Sequence, residues 1–199
     1  DAVERAFIAA RARAGKGPFT FVDVGANAGL YTLAARAAAK QAGRPFRGVA
    51  IEPQPVMLAR LRFNLEASGA ADEVTVLPWA AAAEAGQLTL AVPARNRGAA
   101  KPGAEGVAVP ARPLADALET AGLAHLDVLK IDIEGQEGPV LAAFFAAVPV
   151  RRWPRAIVIE AGAHGEDRAG PARCRDAGYE LFERTGMNAL LVRDRAAAP

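Results

Sequence analysis

Short apolar runs alternate with helical segments along the first eighty residues, and this alternation limits the possible folds more than any other feature. Apolar runs bounded by glycine or proline predict buried strands at residues 19–24, 46–51 and 73–77. Between them, apolar residues at helical spacing predict helices at residues 30–42 and 55–68. This order, with short connections, is typical of a parallel sheet whose two faces are covered by helices.

The rest of the chain continues the alternation and then ends in a hairpin. The predicted elements, in chain order, are a strand at 87–92, a loop at 93–106, a helix at 114–121, a strand at 127–133, a helix at 137–147, a strand at 155–159 and a helix at 166–176. Two β-rich runs, residues 178–182 and 189–193, then predict an antiparallel hairpin. The predicted fold class is α/β, with one mostly parallel sheet, helices on both faces and an antiparallel C-terminal hairpin.

Length and composition fit one domain of ordinary size. The chain has 199 residues, of which 52% are hydrophobic and 23% charged, so it can bury a large core. We predict one domain over residues 1–199, in which residues 1–17 form a helical extension and residues 18–195 the α/β core. A single cysteine, Cys174, excludes an internal disulfide framework and a cysteine-based zinc cluster.

Charge and hydropathy bear on the partners of the chain. The 24 basic and 22 acidic side chains give a net charge of +2, which is too balanced to indicate nucleic acid. No apolar run approaches the roughly 18 residues of a membrane span, and the first residues lack the pattern of a signal peptide. We therefore expect a soluble cytoplasmic protein without a membrane partner. The sequence leaves its oligomeric state open.

A glycine turn, DVGANAG at residues 23–29, follows the first predicted strand. Ligands of open α/β sheets bind at the carboxyl ends of the strands. Gly25 and Gly29 would let the backbone approach a ligand closely there. A dinucleotide fingerprint aligned on Gly25 would need glycines where Asn27 and Leu30 stand, so a pyrophosphate at this turn is disfavoured.

Two acidic residues at predicted strand ends indicate the chemistry of the ligand. Glu52 follows the second strand, about 20 residues past the turn, where a carboxylate can accept two hydrogen bonds from a ribose diol. Asp23 precedes the turn, where it can hold a cationic amino group directly or through water. A ribose diol and an ammonium without phosphates describe S-adenosylmethionine better than NAD or ATP. The alternative is that Asp23 caps the turn and Glu52 is merely exposed.

Four stretches of the sequence match the motifs of a known family. They are FVDVGANAGLY at residues 21–31, EPQP at 52–55, LRFNL at 61–65 and LKIDIEGQE at 129–137. Together they resemble the FkbM family of S-adenosylmethionine-dependent methyltransferases, and the last stretch is the most specific. The resemblance extends over residues 19–193 and implies a class I Rossmann-like methyltransferase fold, with a seven-stranded sheet and a reversed final hairpin. It also implies methyl transfer to oxygen, typically on secondary metabolites or saccharides.

The acidic segment at residues 132–137 is the candidate reaction centre. Methyl transfer needs an acceptor aligned with the sulfonium methyl group, and a hydroxyl is a poor nucleophile until its proton is leaving. Asp132 and Glu134 are predicted near the methyl group, and Glu134 is the better candidate for the general base. His164 is a second candidate base. Glu137 fits a structural role in the first turn of the following helix.

Further cofactor contacts are expected at the same edge of the sheet. The predicted cofactor-binding residues are Asp23, Gly25, Asn27, Gly29, Glu52, Pro53, Trp79, Ala80 and Asp132. Trp79 and Ala80 stand where adenine usually stacks in this fold, although Trp79 could equally be a core residue. No metal ligand is assigned. A metal alternative would place Mg²⁺ at Asp132 and Glu160, with His164 or Glu134 as a further ligand.

The predicted function is O-methylation of a hydroxyl on a small metabolite or saccharide, with S-adenosylmethionine as cofactor. Alternatives are another acceptor, nucleic acid or protein, a nicotinamide-dependent oxidoreductase, and a cofactor-binding protein without catalysis. Nucleic-acid amine methylation usually needs an Asp/Asn-Pro-Pro-aromatic run where this chain has DIEG at residues 132–135. The loop at 93–106 and the stretch after Glu160 are expected to form the acceptor pocket.

Overall fold

A computed structural model describes residues 1–91, 101–103, 106–162 and 169–193. Its strands are β1 (Phe19–Val24), β2 (Phe46–Ile51), β3 (Val74–Leu77), β4 (Ala80–Ala82), β5 (Gly86–Ala91), β6 (Lys101–Pro102), β7 (Val107–Pro113), β8 (Val128–Ile131), β9 (Ala156–Glu160), β10 (Glu180–Arg184) and β11 (Asn188–Val192). Its α-helices are α1 (Ala2–Ala14), α2 (Leu30–Gln41), α3 (Pro55–Ala67), α4 (Leu114–Thr120), α5 (Glu137–Ala147) and α6 (Ala169–Asp176).

The central sheet has seven strands in the order β10-β11-β9-β8-β1-β2-β3. Strands β3, β2, β1, β8 and β9 run parallel to their neighbours in this series. Strand β11 pairs antiparallel with both β9 and β10, so the sheet ends in a reversed hairpin. The predicted α/β class, the mostly parallel seven-stranded sheet and the antiparallel C-terminal hairpin are therefore confirmed.

Helices cover both faces of this sheet because each central strand is apolar on both sides. In β1, Phe21 joins a buried cluster with α1, α2 and α3, whereas the next residue, Val22, joins a second cluster with α4, α5 and α6. Successive side chains of a strand point to opposite faces, so a continuous apolar run serves both helical layers. No helix among the described residues has both the length and the apolar character needed to cross a membrane.

The chain reverses its direction of travel across the sheet between β1 and β8. It moves outward from β1 through β2 to β3, and later returns to place β8 on the other side of β1. At such a switch point the connections leave β1 and β8 in opposite directions, which opens a crevice at the carboxyl ends of the strands. The glycine turn after β1 and the acidic segment after β8 both lie at this position.

A second, four-stranded sheet with the order β4-β7-β5-β6 was not predicted. The predicted strand at 87–92 corresponds to β5, but β4 and β7 were missed. Pro110 and Pro113 make a poor strand pattern in β7 because proline cannot donate a ladder hydrogen bond. Pro110 is paired only with a residue of β5 and Pro113 only with a residue of β4, so each proline has a neighbouring strand on one side only at its own position.

The predicted loop at residues 93–106 requires a correction where it is described. Residues 101–102 form β6, which pairs antiparallel with β5. Residues 92–100 and 104–105 lie outside the described residues. The described part of this segment therefore extends the small sheet.

Candidate functional site

A cavity of about 430 Å³ lies at the carboxyl edge of the central sheet, where β1 and β8 separate. The turn after β1, the end of β2, the small sheet and the segment after β8 all contribute to its wall. The predicted site residues found on this wall are Gly25, Asn27, Glu52, Pro53, Ala80, Asp132 and Glu134. The fold thus brings together residues that are more than one hundred positions apart in the sequence.

The two glycines of the turn are required by contacts within the protein. Gly25 has φ +75°, and a Cβ there would lie 2.1 Å from the backbone oxygen of Asp132. Gly29 has φ +86°, and its Cβ would lie 2.7 Å from Cδ1 of Leu61. Gly25 lines the cavity, whereas Gly29 is absent from the described wall. Both glycines thus lie close to the protein itself, Gly25 to the segment after β8 and Gly29 to α3. The close approach to a ligand at these positions stays a prediction.

Glu52 presents a carboxylate to the cavity from the end of β2. Its side chain is buried, with 6% of its surface exposed. Oε2 accepts a hydrogen bond from the backbone N–H of Asn27 at 2.8 Å, and Oε1 accepts one from that of Gln54 at 2.8 Å. Burial raises the pKa of Glu52 although these two donors act against it. Each carboxylate oxygen has a second lone pair, so the group can still accept two hydrogen bonds from a ligand.

Asp23 lies behind the cavity wall. It is fully buried, and its Oδ2 accepts hydrogen bonds from the backbone N–H and the hydroxyl of Thr32 at 3.1 and 2.7 Å. Oδ1 lies 3.5 Å from Nζ of Lys130 and accepts no hydrogen bond from the described residues. One oxygen thus holds the first turn of α2, as the capping alternative expected, and the other faces a buried lysine.

Lys130 is a buried cation on the cavity wall, and sequence reasoning assigned it no role. Its Nζ donates to the backbone oxygen of Gly25 at 3.0 Å and lies 3.4 Å from Oδ2 of Asp132. Burial alone would lower the pKa of Lys130, but Asp23 and Asp132 raise it above its usual value. A lysine inside an apolar strand was the available signal, since buried charges are almost always paired.

The segment after β8 turns sharply before α5 begins. Glu134 and Gly135 both have positive φ, at 56° and 91°. Glu137 is buried, and it accepts hydrogen bonds from the backbone N–H groups of Ile133 at 2.6 Å and Gly135 at 2.9 Å. These bonds support the structural role expected for Glu137. The turn leaves the Glu134 side chain exposed on the cavity wall.

Glu160 ends β9 beside Asp132, because β8 and β9 pair with Ile131 opposite Ile159. Burial, the nearby carboxylates of Asp132, Glu137 and Glu134, and a hydrogen bond with Asp132 raise the pKa of Glu160 from 4.5 to about 7. A carboxyl group with such a pKa is often found at functional sites.

His164 lies outside the described residues, so the structure does not place this candidate base. Within the described residues, no three histidine, cysteine, aspartate or glutamate side chains are grouped as a metal site would require.

The wall next to β3 differs from the predicted adenine site. Trp79 is 6% exposed and packs in the core cluster that contains Leu77 and Leu114, so its ring does not line the cavity. The short side chains of Ala80 and its neighbour in β4 do line it. Two leucines of β5, Leu88 and Leu90, complete this side of the cavity. Their alternation in the sequence predicted a strand but not its position over the cavity.

The cavity wall carries more negative than positive charge. Three of its residues are carboxylates, Glu52, Asp132 and Glu134, whereas the basic group described on the wall is Lys130. The ammonium of Lys130 is already held by Asp23 and Asp132. An excess of negative charge favours a cationic ligand and disfavours a diphosphate.

Several solved structures with a similar fold are methyltransferases. A methyltransferase FkbM from Methylobacillus flagellatus KT has a TM-score of 0.64 and 20% identity, over 89% of this chain and 44% of that chain. A precorrin-6y C5,15-methyltransferase from Geobacter metallireducens GS-15 has a TM-score of 0.58 and 17% identity, over 96% and 87% of the two chains. This chain thus spans less than half of the FkbM protein.

A third similar structure is an S-adenosylmethionine-dependent O-methyltransferase from Thermotoga maritima, with a TM-score of 0.56 and 11% identity, over 96% of this chain and 64% of that one. No curated protein has a significantly similar sequence. A family model, the methyltransferase FkbM domain, matches residues 23–184, from the end of β1 to the end of β10. That range includes the glycine turn, Glu52 and the acidic segment after β8, and the chain belongs to the FkbM methyltransferase family.

Proposed function

We propose that this chain transfers a methyl group from S-adenosylmethionine to a hydroxyl of a small metabolite or a saccharide. The observation that carries the proposal is the buried carboxylate of Glu52, anchored by two backbone N–H groups and facing a cavity with excess negative charge. S-adenosylmethionine has a ribose diol, an ammonium group and a sulfonium group, and it has no phosphate. The family and the fold also support this methyl donor.

The residues of the wall fit the parts of this cofactor. Glu52 would accept hydrogen bonds from the ribose diol, and Pro53 and Ala80 would contact the adenine side. Gly25 and Asn27 would lie along the amino-acid part. Asp23 would act on the ammonium group through water, because its carboxylate lies behind the wall. A diphosphate would instead be repelled by the carboxylate of Glu52, and the ammonium of Lys130 is already paired with Asp23 and Asp132.

When bound, S-adenosylmethionine supplies a methyl group on a positively charged sulfur. Glu134 is exposed on the wall, so its carboxylate can take the proton of an acceptor hydroxyl. Asp132, whose Oδ2 lies 3.4 Å from Nζ of Lys130, provides a hydrogen-bond acceptor for another donor group of the acceptor molecule, which would orient that molecule. A general base such as Glu134 typically contributes about 10²–10⁴-fold to the rate. His164 remains the second candidate base.

The sequence supports two further parts of this proposal. We infer a cytoplasmic enzyme, and one domain over residues 1–199 with residues 1–17 as a helical extension. The helix predicted in that extension corresponds to α1.

Methyl transfer with labelled S-adenosylmethionine tests the proposal. The acceptors should include hydroxylated metabolites and saccharides, with RNA, DNA and protein as separate arms. We expect label on an oxygen of a small hydroxylated acceptor, with the same rate after divalent ions are removed by a chelator. Label only in nucleic acid or protein would contradict the assigned acceptor class. Cofactor binding without transfer to any acceptor would favour a binding protein without catalysis, and loss of activity with chelator would favour the metal alternative.

A further inference from the structure

A buried glutamate of α1, Glu4, holds the hydroxyl of Tyr31. Glu4 is 2% exposed, and it accepts hydrogen bonds from the Tyr31 hydroxyl, from Oγ1 of Thr185 at 2.6 Å and from Nδ2 of Asn188 at 2.8 Å. Burial would raise the pKa of Glu4, but these three hydrogen bonds hold it below its usual value. The carboxylate is therefore ionised at neutral pH. One buried charge thus connects α1, α2 and the turn between β10 and β11.

Tyr31 stands between Glu4 and the cavity. Its side chain lines the cavity, and Nζ of Lys130 lies 5.3 Å from the centre of its ring. Lys130 in turn donates to Gly25 of the glycine turn and lies beside Asp132. A cation above an aromatic ring is stabilised, most strongly where both are removed from water. The position of the Tyr31 ring therefore affects the cation that ties the glycine turn to the acidic segment after β8.

We propose that Glu4 is a positioning residue for the cavity, because its bond to the Tyr31 hydroxyl fixes the ring beneath the Lys130 ammonium. This inference rests on the proposed function, since the ring would then support the wall at which S-adenosylmethionine binds. Helix α1, which appeared in the sequence as an extension before the core, thereby contributes to the site. A role limited to fastening α1 to the hairpin would give different results in the variants below.

The variants Tyr31→Phe and Glu4→Gln, and the two combined, separate these roles. The product S-adenosylhomocysteine is the probe, with its affinity measured by calorimetric titration. We expect each single variant to weaken binding about 3- to 10-fold, and the combined variant to weaken it no more than the stronger single one, since both act on the same contact. Phe7→Leu is the matched control. Phe7 lies in the same helix as Glu4 and packs against Phe182 of β10, at 5.4 Å between ring centres. Phe7→Leu should lower the melting temperature and leave the affinity unchanged.

Unchanged affinity in both Tyr31→Phe and Glu4→Gln would overturn the positioning role, and so would an equal loss in Phe7→Leu. If the unmodified protein does not bind S-adenosylhomocysteine, the proposed function fails instead. Hydrogen exchange of the ligand-free protein then decides the inference. Faster exchange at residues 25–33 in Tyr31→Phe and Glu4→Gln, but not in Phe7→Leu, would support it, and equal rates in all three variants would overturn it.

Discussion

The central sheet buries charged groups at both of its edges, and the two groups differ in how they are satisfied. At the amino edge, Asp127 precedes β8 and is 2% exposed. Its Oδ2 accepts from the backbone N–H of Thr20 at 3.1 Å and lies 3.2 Å from Arg44, while its Oδ1 lies 3.3 Å from Arg155. Arg44 also donates to backbone oxygens, including that of Ala12 at 2.8 Å. Two arginines and a backbone donor thus satisfy one carboxylate.

At the carboxyl edge, carboxylates outnumber the basic groups described there. Lys130 is one cation between Asp23 and Asp132, and the carboxylates of Glu52 and Glu134 lie on the same cavity wall. Burial of charge destabilises a protein unless partners compensate for it. The amino-edge group has this compensation within the protein, whereas the carboxyl-edge group has negative charge left over. The comparison indicates a stabilising cluster at one edge and a site for a cationic ligand at the other.

The largest expected effect is the loss of stability in Asp127→Ala. Removing one partner of a buried ion pair leaves the others uncompensated, so the free energy of unfolding should fall by about 3–5 kcal/mol. Denaturant titration measures this change. Asp176→Ala is the control, because its pair with Arg173 is exposed and should contribute less than about 1 kcal/mol. The folded fraction of Asp127→Ala should bind S-adenosylhomocysteine normally. Weaker binding would contradict the claim that the amino-edge group contributes to stability and not to ligand binding.

A second prediction concerns Glu134→Gln, which should lower turnover while leaving cofactor affinity nearly unchanged. Loss of the general base should reduce the rate about 100-fold or more, with cofactor affinity nearly intact. Steady-state kinetics and calorimetric titration measure the two quantities. Glu183→Gln, at an exposed position of β10, is the matched control and should retain full activity. A fully active Glu134→Gln variant would show that the base lies elsewhere or that none is needed.

The smallest expected effect is a change in the pH dependence of stability in Glu160→Gln. Because the pKa of Glu160 is raised from 4.5 to about 7, the folded protein binds its proton more tightly than the unfolded chain. This contribution is complete below pH 4.5 and is lost as the pH rises through 7. Glutamine is neutral at every pH, so the variant does not lose stability in this way. Its melting temperature relative to the unmodified protein should therefore increase from pH 5 to pH 8. A constant difference would contradict the raised pKa.

The central fold could be predicted because its signals are local. The apolar run of β1 and the helical spacing in α3 each lie within a few residues, and a parallel sheet follows from their alternation. Glu52 and Asp132 could be placed on the same edge because both directly follow parallel strands. The small sheet had no such signal, since β4 and β7 are paired across 31 positions, as at Ala80 and Ala111.

The direction of individual side chains could not be predicted from strand ends. Asp23 was expected to act on an ammonium group directly or through water, and nothing in the sequence indicated that Thr32 and Lys130 hold its carboxylate behind the cavity wall. Trp79 follows β3 as expected, but its ring packs in the core and does not line the cavity. The contact between Glu4 and Tyr31 joins two helices and has no motif. Such contacts depend on packing between elements, which no periodicity in one segment reveals.

Calorimetric titration of S-adenosylmethionine and NAD into the unmodified protein and Glu52→Ala tests the central claim most directly. We expect the unmodified protein to bind S-adenosylmethionine in preference to NAD. Hydrogen bonds to a charged group contribute about 1.5–3 kcal/mol, so Glu52→Ala should weaken this binding about 10- to 100-fold. Glu66→Ala, on the exposed side of α3, should bind normally. Preferential binding of NAD, or full affinity in Glu52→Ala, would contradict a nucleoside–amino-acid site at the carboxyl edge of the sheet.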